Sequence, residues 1–154
     1  MFSATVSQGF YCTIKILLQK PTNDTGFTIL GGHVEFGETN AQTLEREFKE
    51  EIGAEIKVGD LKWVAEIFFL WGDKPCHQIC LYYEVALKDK SPIPLDGVFV
   101  GNERIEGRDF MIEFHWTHIV ALRQIEVYPT NIADLMKRYN KGVQRFVYRE
   151  GEWC

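Results

Sequence analysis

Glu47, Glu50 and Glu51 are spaced i, i+3 and i+4, so on a helix their carboxylates crowd one face. Like charges this close repel and raise one another's pKa. A hard divalent cation such as Mg²⁺ or Mn²⁺, which prefers oxygen ligands and keeps several waters, removes the conflict. Three glutamates alone more often make a solvated acidic face, so the weight rests on what surrounds them. The run Ala41 to Ile52 reads as that helix, with Leu44, Phe48 and Ile52 four apart on one apolar stripe. Thr39 or Asn40 can cap its start, and Gly53 can end it in a left-handed turn. Upstream lies a tight loop opened by Gly31 and Gly32 and continued by Gly37 and Glu38. Arg46 faces away from the apolar stripe and is expected to hold Glu38 by a bidentate pair.

The full pattern is Gly32, five residues, Glu38, seven residues, Arg46-Glu47-Phe48, one residue, Glu50-Glu51, one residue, Gly53-Ala54. It resembles the Nudix box of the Nudix hydrolase superfamily, with every polar and glycine position filled. Two positions depart from the family: Ala54 stands where a larger aliphatic residue is usual, and Leu30 where proline often precedes the glycine pair. Neither is a proposed ligand. The segments AEIFFLWGDKPCHQICLYYEV and FHWTHIVALRQIEVYP are similar to the downstream strands of a bacterial-type group, so the likeness covers nearly the whole chain.

The resemblance implies an enzyme that hydrolyses a nucleoside diphosphate linked to another moiety, with water attacking phosphorus. It implies Mg²⁺ or Mn²⁺ held by Glu47, Glu50 and Glu51, with Gly32, Glu38, Arg46 and Gly53 shaping the box. A metal there neutralises diphosphate charge and lowers the pKa of a bound water. Amides at Gly31 and Gly32, beside a helix N-terminus, suit phosphate oxygens. The general base is a box glutamate or one from elsewhere. Outside the box Glu106 and Glu113 are candidates, and Glu113 is preferred because the family often has an acidic residue shortly before the tryptophan of this strand, here Trp116. Glu113→Gln is then expected to lower turnover at least tenfold. Nucleoside triphosphates, dinucleotides and nucleotide sugars all stay open as substrates. Two rival readings are a non-catalytic nucleotide-binding module, which usually loses box glutamates, and an isopentenyl-diphosphate isomerase, whose additional ligands and cysteine find no match.

Other residues carry weaker signals. Arg108 and Arg104 could reach a substrate phosphate. His33 follows the glycine pair, and His77 stands at the start of a strand. His115 and His118 lack the further ligands of a zinc site. Trp63, Phe68, Phe69, Trp71, Tyr82 and Tyr128 include candidate stacking platforms for a base, although most aromatics in such a chain are core. Cys12, Cys76, Cys80 and Cys154 form no CxxC pair and read as reduced thiols.

The elements that must position these residues give an α/β class, a mixed central sheet with helices on both sides. Strands are expected at Gly9 to Gln19, Phe27 to Leu30, Glu55 to Val58, Leu61 to Trp71, Cys76 to Leu87, Phe110 to Thr117 and Val143 to Arg149. Pro21 to Gly26 closes a hairpin. Lys88 to Gly107 reads as a long surface loop, His118 to Glu126 as a short helix, and Thr130 to Asn140 as a second helix. The 154 residues suit one domain with a full core, 45% of them hydrophobic. A net charge of −5 excludes a broad basic field for nucleic acid. No apolar run reaches the length of a membrane span, and no secretory leader is evident at Met1 onward. A cytoplasmic protein follows, acting on a small nucleotide-type substrate, as a monomer or a homodimer.

Overall fold

The computed structural model describes residues 2–6, 15–88, 93–105 and 108–151, with side chains at 15–88, 93–102 and 110–151. Its strands are β1 (Phe2–Val6), β2 (Lys15–Pro21), β3 (Phe27–Ile29), β4 (Ile56–Trp71), β5 (Lys74–Leu87), β6 (Val98–Ile105), β7 (Arg108–His118), β8 (Val127–Tyr128) and β9 (Gln144–Arg149). Its helices are α1 (Asn40–Ile52) and α2 (Ile132–Lys137). No helix among the described residues is long and apolar enough to cross a membrane.

The central layer is mixed, as expected, but divided into two sheets. One has the order β1-β5-β4-β9 and the other β6-β7-β2-β3-β8. β1 and β9 run parallel to their neighbours β5 and β4, and β8 runs parallel to β3, while the remaining pairs are antiparallel. Register shifts between Val58 and Trp63 bend β4, so the two strands expected there are one strand carrying bulges.

Two cores flank this layer. α1 contributes Leu44 and Phe48 to one, with Leu17, Ile112, Phe114 and Trp116. α2 contributes Ile132, Leu135 and Met136 to the other, with Ile16, Leu18, Trp63 and Tyr82. Successive strand residues point to opposite faces, so β2 feeds both cores and is buried on either side.

Several expected boundaries change. Val98–Ile105, inside the expected long loop, is strand β6 paired antiparallel with β7. Its Gly101 explains the fit. A Cβ there would stand 2.4 Å from the Glu51 carbonyl oxygen and 2.8 Å from the Phe114 ring, so only glycine lets β6 lie against the end of α1. The expected helix at His118 to Glu126 reduces to a single 3₁₀ turn at Ile119–Ala121, and α2 is shorter than expected. Residues 9–14, 89–92, 106 and 107 lie outside the described set.

Candidate active site

The loop and α1 are joined by local chemistry that the sequence encodes closely. Thr39 is the N-cap: its hydroxyl accepts from the Gln42 amide at 3.3 Å, and Gln42 Oε1 accepts from the Thr39 amide at 2.8 Å. This reciprocal capping box satisfies two otherwise orphaned donors. At the other end Gly53 adopts φ 69°, and its amide reaches the Lys49 carbonyl. A left-handed terminus of this kind favours glycine.

Arg46 is the hub. Its Nε donates to Glu38 Oε1 at 2.8 Å and Nη2 to Glu38 Oε2 at 3.1 Å, the expected bidentate pair. Nη2 also donates to the His33 carbonyl at 3.1 Å, and Nη1 to Glu47 Oε1 at 2.8 Å and Glu50 Oε2 at 3.2 Å. Thr43, buried on α1, donates its hydroxyl to Glu38 Oε2 at 2.8 Å. The Arg46 bond, then the Thr43 and Glu35 bonds, holds the Glu38 carboxyl down at about 2, and Glu38 in turn holds Arg46 protonated. So one guanidinium ties the loop's acid, the loop's backbone and two carboxylates of the helix.

Glu47, Glu50 and Glu51 all lie on α1, and Arg46 bridges the first two. Glu47 is largely covered, Glu50 is exposed, and Glu51 is buried with 8% of its surface accessible. Burial pushes the Glu47 carboxyl up, against the pull of Arg46, and neighbouring Glu50 adds to the rise. Gly32 explains its own identity: a Cβ there would stand 1.9 Å from Glu47 Oε1. The glycine is therefore the seat for the Glu47 carboxylate. Among the described residues no cluster of three metal-binding side chains occurs, and Arg46 takes one oxygen of Glu47 and one of Glu50. The donor set, all carboxylate oxygen, fits Mg²⁺ or Mn²⁺ and suits softer ions poorly.

The remaining expected residues fall elsewhere. Glu113 pairs in register with Lys20, and cross-strand partners share a face, so both lie on the face of the sheet opposite Phe114 and α1. There Glu113 Oε2 accepts from His115 Nε2 at 2.8 Å and Lys20 Nζ at 3.0 Å. These bonds hold its carboxyl below the usual range, that to His115 foremost. The structure does not bring Glu113 to the glutamates of α1. Arg108 begins β7, with its side chain outside the described set, as is that of Arg104, and Glu106 lies wholly outside it. Trp63 and Tyr82 are core, as most aromatics were expected to be. His118 is the last residue of β7. Sequence reasoning missed Thr43, Gly101 and the His33 carbonyl. Thr43 had a faint signal, a polar residue on the apolar side of a helix.

The site is thus a capped helix fed by a glycine loop, with carboxylates on one side of a mixed α/β layer. A sequence profile of the NUDIX domain matches residues 10–129, and the chain belongs to that family, a family of pyrophosphohydrolases. Solved structures agree in fold. A UDP-X diphosphatase matches with TM-score 0.58 and 16% identity over 95% of this chain, which spans 64% of that one, less than two thirds of its length. An Ap4A hydrolase from C. elegans matches with TM-score 0.58 and 16% identity, covering 91% of this chain and 94% of that one. The MutT protein from Methanosarcina mazei Go1 matches with TM-score 0.59 and 18% identity, covering 91% of each.

Proposed function

We propose that this chain hydrolyses a phosphoanhydride bond in a nucleoside diphosphate linked to another moiety, with Mg²⁺ or Mn²⁺ and by water attack at phosphorus. The observation that carries the reading is the Arg46 hub, which fixes the glycine loop against the helix face bearing Glu47, Glu50 and Glu51. Those three carboxylates would hold the metal, which when bound supplies charge neutralisation and a more acidic water. The residues themselves do the positioning. Gly32 seats Glu47, and Glu38 keeps Arg46 in place, so the carboxylates stay within reach of a diphosphate lying along the loop. Amides of Gly31 and Gly32 suit its oxygens, and Arg108 belongs to the same proposal as a phosphate contact. Positioning of this kind provides most of the rate enhancement in phosphoryl transfer. We assign the general base to the box glutamates, since Glu113 is engaged across the sheet. A nucleotide-type substrate is favoured by the names of the structural relatives, a UDP-X diphosphatase and an Ap4A hydrolase among them. A cytoplasmic setting belongs to the same reading, in keeping with the free thiols of Cys76 and Cys80.

The test incubates wild type and Glu50→Gln with Mg²⁺ or Mn²⁺ and a panel of nucleoside triphosphates, nucleotide sugars, ADP-ribose and dinucleotides. Turnover of one class, reduced at least ~100-fold in the variant, is the expected result. Equal turnover in both proteins would refute the assignment, and silence across the panel with metal still bound would favour a binding module.

A further inference from the structure

The glycine loop touches the face of the four-stranded sheet that carries the α2 core. Gln78 Nε2 of β5 lies 3.5 Å from His33 Nε2, while the His33 carbonyl is held by Arg46. His33 also follows Gly32, the seat of Glu47. One residue therefore joins the proposed diphosphate site to Gln78. Gln78 is in register with Ile67 of β4, and Ile67 with Tyr148 of β9. Cross-strand partners share a face, so the three side chains form a row about 10 Å long, two strand spacings from end to end. Two residues further along the strands, Cys80, Ala65 and Phe146 make a parallel row that belongs to the α2 core. Gln78, Ile67 and Tyr148 are half-buried, so their row is where that core gives way to solvent.

The far end of the row has a wall. The Tyr128 ring of β8 meets the Tyr148 ring edge to face, with centroids 6.4 Å apart at 63°. A Cβ on Gly26 would stand 3.0 Å from the Tyr128 ring, so backbone lies close against it. The Tyr128 hydroxyl donates to Glu126, whose other oxygen accepts from the Thr25 hydroxyl at 3.2 Å. Tyr128 is thus fixed before any ligand arrives. It pairs with Thr28 on β3, the strand that runs into the glycine loop. The two ends of the row also differ in charge. Arg46 lies at the His33 end, whereas Glu126 and Glu150 set negative charge beside both tyrosines. Phosphate is drawn to the first end and repelled from the second, which is left for a neutral ring.

We infer that the nucleobase of the substrate lies over Ile67, against the Tyr148 ring and bounded by Tyr128, with its polar edge read by the Gln78 amide. Stacking supplies the larger share and tolerates any base, since every base has a π-face. Gln78 offers both a donor and an acceptor, and so sets a preference among bases. The inference deepens the hydrolase reading and rests on it.

Titration calorimetry with Mg²⁺ compares three non-hydrolysable probes: the α,β-methylene diphosphates of adenosine and uridine, and methylenediphosphonate, which has no base. Wild type should bind at least one nucleoside probe about tenfold or more tightly than methylenediphosphonate. Tyr148→Ala should remove that preference and Tyr148→Phe keep it, with methylenediphosphonate affinity unchanged in both. Gln78→Leu should shift the ratio of adenosine to uridine affinity about fivefold or more. His77→Ala, on the opposite face of β5, should keep the wild-type preference. An undiminished preference in Tyr148→Ala, an unmoved ratio in Gln78→Leu, a preference lost in His77→Ala, or none in wild type overturns the base site alone. Should Tyr148→Ala fail to fold, the ratio in Gln78→Leu decides. Failure of wild type to bind any of the three overturns the hydrolase reading, and the base site with it.

Discussion

Gly32→Ala tests how closely the loop and α1 depend on each other. An added Cβ would lie 1.9 Å from Glu47 Oε1, 2.1 Å from Cδ and 2.7 Å from Cγ, all far inside van der Waals contact. Glu47 must turn away, and in doing so it gives up the 2.8 Å bond from Arg46 Nη1. A charge-assisted hydrogen bond contributes ~1.5–3 kcal/mol, and an off-rotamer side chain costs ~0.5–1.5 kcal/mol. Solvent reaches Arg46, so the lower end of the first range applies, and the sum is about 2 kcal/mol. For a domain of this size that corresponds to a melting temperature lower by roughly 4–8 °C. Turnover should suffer more, about 100-fold, because a carboxylate of the site is misplaced by an ångström or more. The checks are thermal unfolding by circular dichroism and metal-dependent hydrolysis. The decisive measurement repeats the change in a Glu47→Ala background, where the clashing atoms are gone and Gly32→Ala should cost little. An equal loss in both backgrounds, or wild-type behaviour of the single variant, would refute the packing account.

Arg46→Lys keeps the charge but cannot span Glu38, Glu47, Glu50 and the His33 carbonyl together, so metal affinity or turnover should fall about 10–100-fold, read by metal titration and steady-state kinetics. Glu38 titrates near 2 in the fold against an ordinary 4.5, so the folded state binds fewer protons than the unfolded one between those values. Its contribution is present above about pH 4.5 and lost as pH falls toward 2, and urea midpoints of wild type and Glu38→Gln should converge over that window. Parallel pH profiles would contradict this. Glu113→Gln should leave turnover within about twofold of wild type, as expected for a site with no shared partner, whereas a tenfold fall would return Glu113 to the reaction.

The helix and its caps were legible because every signal is local. Thr39 and Gly53 each act within one turn of the end they cap, and the apolar stripe has the helical period. The same locality made Glu38–Arg46 readable. β6 was not readable as a strand. Val98–Ile105 follows Pro94 and Gly97 and ends in charges, and it becomes a strand only by pairing with β7 and by Gly101 seating on the end of α1. β1 is likewise fixed by a parallel partner distant in sequence. Glu113 is the instructive case. The alternation Ile112, Glu113, Phe114, His115, Trp116 announces two faces, but nothing in it says that α1 packs on the apolar one. Distance along the chain could not decide which side of the sheet a carboxylate serves.

β2, covered by a core on each side, has a bearing on how the molecule loses structure. Its amides at Ile16, Leu17 and Leu18 become accessible to solvent only when both cores give way at once. They are therefore the natural reporters of complete unfolding by hydrogen exchange, whereas α2, six residues resting on one core, can detach in a smaller opening. Such an opening leaves the far side of β2, and the helix bearing the glutamates, in place.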